Sequence, residues 1–267
     1  MEAIKNRFTF AVKRWGGSGA LFAWDLWNEI HPAHCSGKTE HVTPFITELS
    51  DHVRSLEMNL FGRSHLQTVS IFGPQLHTNP EMADSIFRHP KLDFASSHFY
   101  DSATINNPKN TVDSATINNP KNTVDSAIVV GNLVREALEH INDNRPFFES
   151  EHGPIHAFKD RKRTSSEAFD DEYFKHIQWA HMASGGAGGG MRWPNRHPHV
   201  LTPGMRREQY KLSYFSKLVD WENFNRKNMS REIKISSVDF AAFCCADEEQ
   251  AVVYVLRKND LKKKMVN

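Results

Sequence analysis

Hydrophobic and polar positions along the chain alternate between stretches of helical period and short apolar runs, the sequence sign of consecutive βα units around a parallel sheet. Helical spacing predicts a helix over roughly residues 2 to 15, which leads into the apolar run ALFAWDLW at 20 to 27. TPFITELSDHVRSLEMN, 43 to 59, predicts a second helix ahead of the strand LQTVSIFG at 66 to 73. PEMADSIFRHP, 80 to 90, predicts a short helix ahead of DFASSHFY at 93 to 100. A third long helix, SAIVVGNLVREALEHIND at 126 to 143, precedes the strand PFFES, and SSEAFDDEYFKHIQWAHMAS at 165 to 184 precedes the Gly-rich strand GGAGGGMRW. After a last helix near REQYKLSYFSKLVDW, 207 to 221, the period changes to two. IKISSVDFAAFCC and AVVYVLRK then predict an antiparallel hairpin around the turn ADEEQ.

The expected fold class is therefore α/β: five strands of β-then-α type, followed by a short C-terminal β-hairpin. Five strands are too few to close an eight-stranded barrel. One segment breaks the pattern. DSATINNPKNTV at 101 to 112 is repeated letter for letter at 113 to 124. So polar a unit cannot bury the apolar surface a solenoid repeat needs, so it reads as a local duplication in the loop after DFASSHFY, where added length costs little closure entropy.

Composition narrows the function classes. The 267 residues are 39% hydrophobic and 24% charged, ordinary for a soluble globular chain. The formal charge is +1 with Lys and Arg scattered, so the concentrated basic footprint that nucleic acid demands is missing. No apolar run reaches the roughly 18 residues of a membrane span, and the opening MEAIKNRFTFAVKRW lacks a signal-peptide core. Cys35, Cys244 and Cys245 cannot form a disulfide framework. GGAGGG at 185 to 190 leaves a helix and enters a strand, the reverse of the dinucleotide fingerprint. The clusters HPAHC and RHPH lack metal-site spacing, and no G-x-S-x-G elbow occurs. No metal and no organic cofactor are expected.

The carboxylates point elsewhere. In parallel βα architecture the chemistry sits at the carboxyl ends of strands. There the sequence sets Asn28 and Glu29 after FAWDLW, His98 and Tyr100 in SSHFY, Glu149 and Glu151 in FFESEHG, and Trp193 in MRWP. Period-two alternation predicts Glu149 and Glu151 on one face, with Glu151 nearer the mouth. Singly each has a plain structural reading, as a cap, a hydrogen-bonded pair or a core ring. Those nearest the mouth are two carboxylates, Glu29 and Glu151, with an imidazole, a phenol, an amide and an indole. Glycosidic bond cleavage needs two carboxylates, one protonated and one ionised, an amide for the sugar 2-hydroxyl, and a flat apolar ring on which a pyranose can stack.

WDLWNE, SSHFY, FFESEHG and MRWP, in this order, resemble clan A glycoside hydrolases with a (β/α)8 TIM barrel, most closely cellulase-like family 5. The resemblance covers about residues 2 to 220. It implies Glu29 as acid/base at the end of barrel strand four, His98 and Tyr100 at strand six, Glu151 as nucleophile at strand seven and Trp193 at strand eight, with Asn28, His98, Tyr100 and Trp193 binding substrate. It also implies a retaining hydrolase of β-1,4-linked polysaccharide, endo-glucanase-like, with an oligo- or polysaccharide substrate as partner. The alternatives are a mannanase, xylanase or β-glucosidase of the clan, or a weak or inactive carbohydrate-binding fragment. Strands one to three of the family are not represented. The expectation is therefore a partial barrel over 1–225, the start of an accessory β-domain over 226–267, and possible pairing of two copies through the open sheet edge. Family members are often secreted; this chain shows no export address of its own.

Overall fold

The apolar stripes decide where the helices lie and which faces they bury. A computed structural model describes residues 1–35, 38–100, 123–153, 167–192 and 201–258. The chain divides into two compact units, one of Met1–His98 with His140–Pro146, the other of Phe99–Glu139 with Phe147–Asn267. The duplicated segment lies outside the described residues except for Thr123 and Val124, which open a helix.

In the first unit, α1 (Glu2–Trp15) packs against α2 (Val42–Phe61). Thr9 bonds His52 at 2.9 Å and Lys5 pairs with Glu48 at 2.7 Å across the two helices. Along α2, Val42, Ile46, Leu49 and Val53 recur at helical spacing and are fully buried. Each such side chain contributes about 1.5–3 kcal/mol of gross transfer free energy. The helix stops at Gly62, whose φ of 67° forms a left-handed cap returning its N–H to the Met58 carbonyl. β1 (Ala23–Asp25) runs parallel to β2 (Leu66–Thr68), with Asp25 opposite Thr68. After Val69, β3 (Ser70–Phe72) runs parallel to β4 (Ala95–Tyr100), with Ser70 opposite Ser96 and Phe72 opposite His98. The single strand expected over 66 to 73 is thus two short ladders that pair with different neighbours. A one-turn helix α3 (Gln75–Thr78) and α4 (Pro80–Phe87) join β3 to β4, and α4 buries Met82, Ala83, Ile86 and Phe87.

A buried carboxylate ties α2 to β1 and β2. Glu57 accepts the Trp24 indole N–H at 2.8 Å and the His65 backbone N–H at 2.9 Å, and the His65 Nδ1 lies 2.6 Å from it. Arg63 Nη1 stands 3.1 Å from His65 Nε2. A guanidinium can only donate, so Nε2 accepts, Nδ1 carries the proton, and His65 is neutral while it donates to Glu57. A buried charge with three donors is a satisfied one.

In the second unit, β5 (Phe147–Gly153) runs parallel to β6 (Gly188–Arg192), with Glu149 opposite Gly189 and Glu151 opposite Met191. Helices α5 (Thr123–Glu139) and α6 (Glu167–Ala183) pack on each other, and α6 covers β6. The glycine run entering β6 is explained by this packing. A Cβ on Gly186 would stand 2.1 Å from His181 Nε2, and one on Gly189 would stand 2.4 Å from Gln178 Nε2. Helix α7 (Pro203–Phe215) is capped by Thr202, whose hydroxyl accepts the Met205 N–H at 3.1 Å.

The C-terminal sheet is antiparallel, β7 (Lys227–Asn228) with β8 (Phe240–Ala246) and β8 with β9 (Ala251–Arg257). The turn holds because Asp247 accepts the N–H groups of Glu249 and Gln250, both at 2.9 Å. The first hairpin strand starts at Phe240 rather than near 233, and Val238 is exposed. The hairpin packs on helices of its own unit. Phe243, Cys245, Val252 and Leu256 share one core with Ala127 of α5 and Ala180 and Ala183 of α6. A Cβ on Gly131 of α5 would meet Phe243 at 2.6 Å, so the hairpin sits close on that helix. Neither unit forms a closed barrel among the described residues, and no described helix is long and apolar enough to cross a membrane.

Candidate active site

The β1 ladder ends at Asp25, so Glu29 does not terminate the strand as expected; it lies four residues on, in a turn. Asp25 causes the turn. Its Oδ1 accepts the N–H groups of Trp27 at 3.3 Å and Ser70 at 3.1 Å, and its Oδ2 accepts the Ser70 hydroxyl at 2.6 Å. The Ser70 oxygen in turn accepts the Glu29 N–H at 3.1 Å. Ile30 N–H then reaches the Ser70 carbonyl at 3.0 Å, and Ile30 bridges Ile71 in parallel. Between these clamps Glu29 takes a φ of 49°, in the left-handed region. For a non-glycine residue that costs about 1–3 kcal/mol and persists only where the surroundings over-determine it. Packing around the Asp25 carboxyl pushes its pKa up through desolvation although the residue as a whole stays exposed; the Ser70 bonds and nearby His98 pull it the other way.

From β4, the buried His98 sets Nδ1 2.9 Å from Glu29 Oε1. Its backbone carbonyl accepts the Gly73 N–H at 2.8 Å, which fixes the strand end where the ring departs. Glu29 is half-buried and Asn28 beside it is exposed. His98 is the one expected site residue brought against Glu29 by a described contact. Tyr100 ends β4, with its side chain outside the described residues, and Trp193 lies outside them altogether.

In the second unit Glu151 is half-buried near the end of β5, and Glu149 is fully buried. Glu149 lies against His181 of α6, 3.5 Å away, while His152 lies against Gln178, Tyr173 and Phe174 of the same helix. Residues three apart thus both meet α6, and Glu151, between them, is half-buried. Gln178 spans the two strands: its amide nitrogen is 3.2 Å from His152 Nε2 and its carbonyl accepts the Gly189 N–H at 3.2 Å.

Glu149 and His181 are neighbours with no hydrogen bond between them. Neither Glu149 oxygen has a hydrogen bond among the described residues, and 3.5 Å is too long for one. Burial raises the Glu149 carboxyl well above its ordinary range. Burial also lowers the His181 imidazole to about 3, with the Phe147 backbone opposing and Arg226 adding to the fall. The two act on stability in opposite senses. The Glu149 contribution is complete below pH 4.5 and is lost as pH rises toward the folded pKa. The His181 contribution is complete above pH 6.5 and is lost as pH falls toward 3. Glu149→Gln, which mimics the protonated acid, is expected to raise the melting midpoint by at least about 2 °C at alkaline pH and to change little in mild acid. A lower midpoint at alkaline pH would show that Glu149 is ionised in the fold.

Sequence reasoning missed Asp25, Ser70, Gln178 and His181. Asp25 had a faint signal as the acid four residues before Glu29 in WDLWNE; Ser70 had none. No group of three or more His, Cys, Asp or Glu suited to a metal ion occurs among the described residues.

No protein-family model matches the sequence, and no curated protein matches it. Among solved structures the chain is similar to a β-glucuronidase from Ruminococcus gnavus, at 14% identity and a TM-score of 0.47, over 72% of this chain and 28% of that one. It is also similar to a glucosidase from Croceicoccus marinus, at 10% identity and a TM-score of 0.43, over 91% of this chain and 52% of that one. The chain thus spans about a quarter and about half the length of these two glycoside hydrolases.

Proposed function

We propose that the chain carries the catalytic apparatus of a retaining β-glycosidase, with Glu29 as acid/base and Glu151 as nucleophile. The observation that supports this best is Glu29 itself: a carboxylic acid in a left-handed turn just past a parallel strand, with a buried imidazole 2.9 Å away. His98 Nδ1–H donating to Oε1 leaves Oε2 to carry the acidic proton, which is how a general acid is aimed. Glu151 attacks the anomeric carbon while Glu29 protonates the departing glycosidic oxygen, giving an ester between sugar and Glu151. Water then attacks the same carbon, yields its proton to Glu29 and releases the Glu151 carboxylate, so the anomeric configuration is retained. This chemistry requires the two carboxyl groups about 5 to 5.5 Å apart.

In the finer reading, drawn from the resemblance to cellulase-like family 5, Asn28 holds the sugar 2-hydroxyl, Tyr100 touches the nucleophile, and Trp193 stacks on a sugar ring. The substrate is then a β-1,4-linked glucan cleaved internally. The test is turnover by the purified chain on carboxymethylcellulose, mannan, xylan and a series of aryl β-glycosides. Cleavage of carboxymethylcellulose is expected. Cleavage of mannan or xylan alone would move the substrate class within the same chemistry, and saccharide binding without turnover would contradict the enzymatic reading.

A further inference from the structure

We propose that Asp25, acting through Ser70, is a positioning residue for Glu29: the pair holds the left-handed turn that aims the acid. The proposal rests on the reading of Glu29 as acid/base. A bare Asx turn would need only the Asp25 bond to the Trp27 N–H at 3.3 Å, the longest of the three Asp25 contacts. The other two cross to the start of β3 and grip Ser70 by both its hydroxyl, at 2.6 Å, and its N–H, at 3.1 Å. Ser70 is fully buried, and its single hydroxyl proton goes to Asp25 Oδ2 at 2.6 Å over the Trp27 carbonyl at 3.4 Å. Its oxygen is therefore oriented to accept, and what it accepts is the Glu29 N–H at 3.1 Å. The same residue's carbonyl accepts the Ile30 N–H at 3.0 Å. Ser70 thus holds the amides on both sides of the Glu29 Cα, the atom whose φ is 49°. Together with His98 on the carboxyl group, this fixes the acid at its backbone and at its tip. A general acid gains from such a clamp because a small misplacement of the proton donor lowers the rate steeply.

Ser70→Ala removes one oxygen, and Asp25→Asn keeps the size of the side chain while leaving one acceptor oxygen where two serve the Ser70 hydroxyl and the Trp27 and Ser70 N–H groups. Two readouts on the full chain decide. First, amide hydrogen exchange at Glu29 is expected to be about tenfold or more faster in Ser70→Ala, while the Leu26 amide, bonded to the Thr68 carbonyl, keeps its rate. Second, kcat/KM on phenyl β-glycosides, whose leaving oxygen needs the proton, is expected to fall by about 10- to 100-fold, while dinitrophenyl glycosides, which need none, stay near the wild-type value. Asp25→Asn moves both readouts in the same direction and by less, and serves alone if Ser70→Ala does not fold. An unchanged Glu29 amide, or equal losses on both glycosides, overturns the positioning role. If wild-type protein turns over no glycoside, the functional reading fails and the amide exchange still decides whether the clamp exists. If Glu29→Gln is inactive on phenyl glycosides while Ser70→Ala matches wild type, only the present inference fails.

Discussion

Glu29→Gln is expected to lower kcat/KM on phenyl glycosides and polysaccharide by about 10²- to 10⁴-fold, the usual contribution of a positioned general acid, and to spare kcat/KM on dinitrophenyl glycosides. The asymmetry follows from the chemistry. Gln keeps an oxygen for His98, 2.9 Å away in the wild type, but it has no proton to give. A leaving group that departs unaided does not notice the loss in the first step. The second step does notice, because water no longer has a base, so kcat falls on every substrate. Azide, which attacks the glycosyl ester without a base, is expected to restore kcat and to yield the β-glycosyl azide. Equal losses on all substrates with no effect of azide would show that Glu29 is structural.

The helices were legible because their stripes are regular: α2 buries Val42, Ile46, Leu49 and Val53 as the spacing predicts. The turn that delivers Glu29 was not, because it depends on Ser70, a residue 45 positions after Asp25, and no local pattern marks that pair. The strand at 66 to 73 reads as continuous because apolar periodicity reports burial and is silent on which neighbour each half pairs with. The glycines at 186 and 189 reflect close approach of His181 and Gln178, a packing cause that follows from α6 lying on β6. The hairpin strands were found, but their partners were not: that β8 and β9 share a core with α5 and α6 depends on residues 58 to 129 positions away. Of the expected site, Glu29 and His98 lie 2.9 Å apart, a contact the motifs did not specify, and Asn28 is exposed beside Glu29. The burial of Glu149 against α6 was not legible, because it depends on His181, 32 positions later.

The difference in burial between Glu149 and Glu151 carries the second large effect. A nucleophile must be ionised and within reach of the anomeric carbon. Glu149 is fully buried against α6, where desolvation raises its carboxyl pKa well above the ordinary range and disfavours the ionised form, whereas Glu151 is half-buried at the end of β5. Glu151→Gln is expected to reduce turnover by about 10⁴-fold or more on every glycoside, good leaving groups included, since loss of the attacking group stops the first step. Glu149→Gln is expected to keep wild-type kcat while gaining stability at alkaline pH. An inactive Glu149→Gln beside a fully active Glu151→Gln would reverse the assignment.

The most direct measurement is capture of the glycosyl ester. A dinitrophenyl β-glycoside fluorinated at the carbon beside the anomeric centre forms the ester readily and hydrolyses it slowly, so the intermediate accumulates. Peptide mass spectrometry of the treated chain is predicted to find one sugar equivalent on the peptide containing FFESEHG, with fragmentation assigning it to Glu151. A sugar on Glu149 or on any other residue, or an unmodified chain that nonetheless cleaves the parent glycoside, would contradict the account.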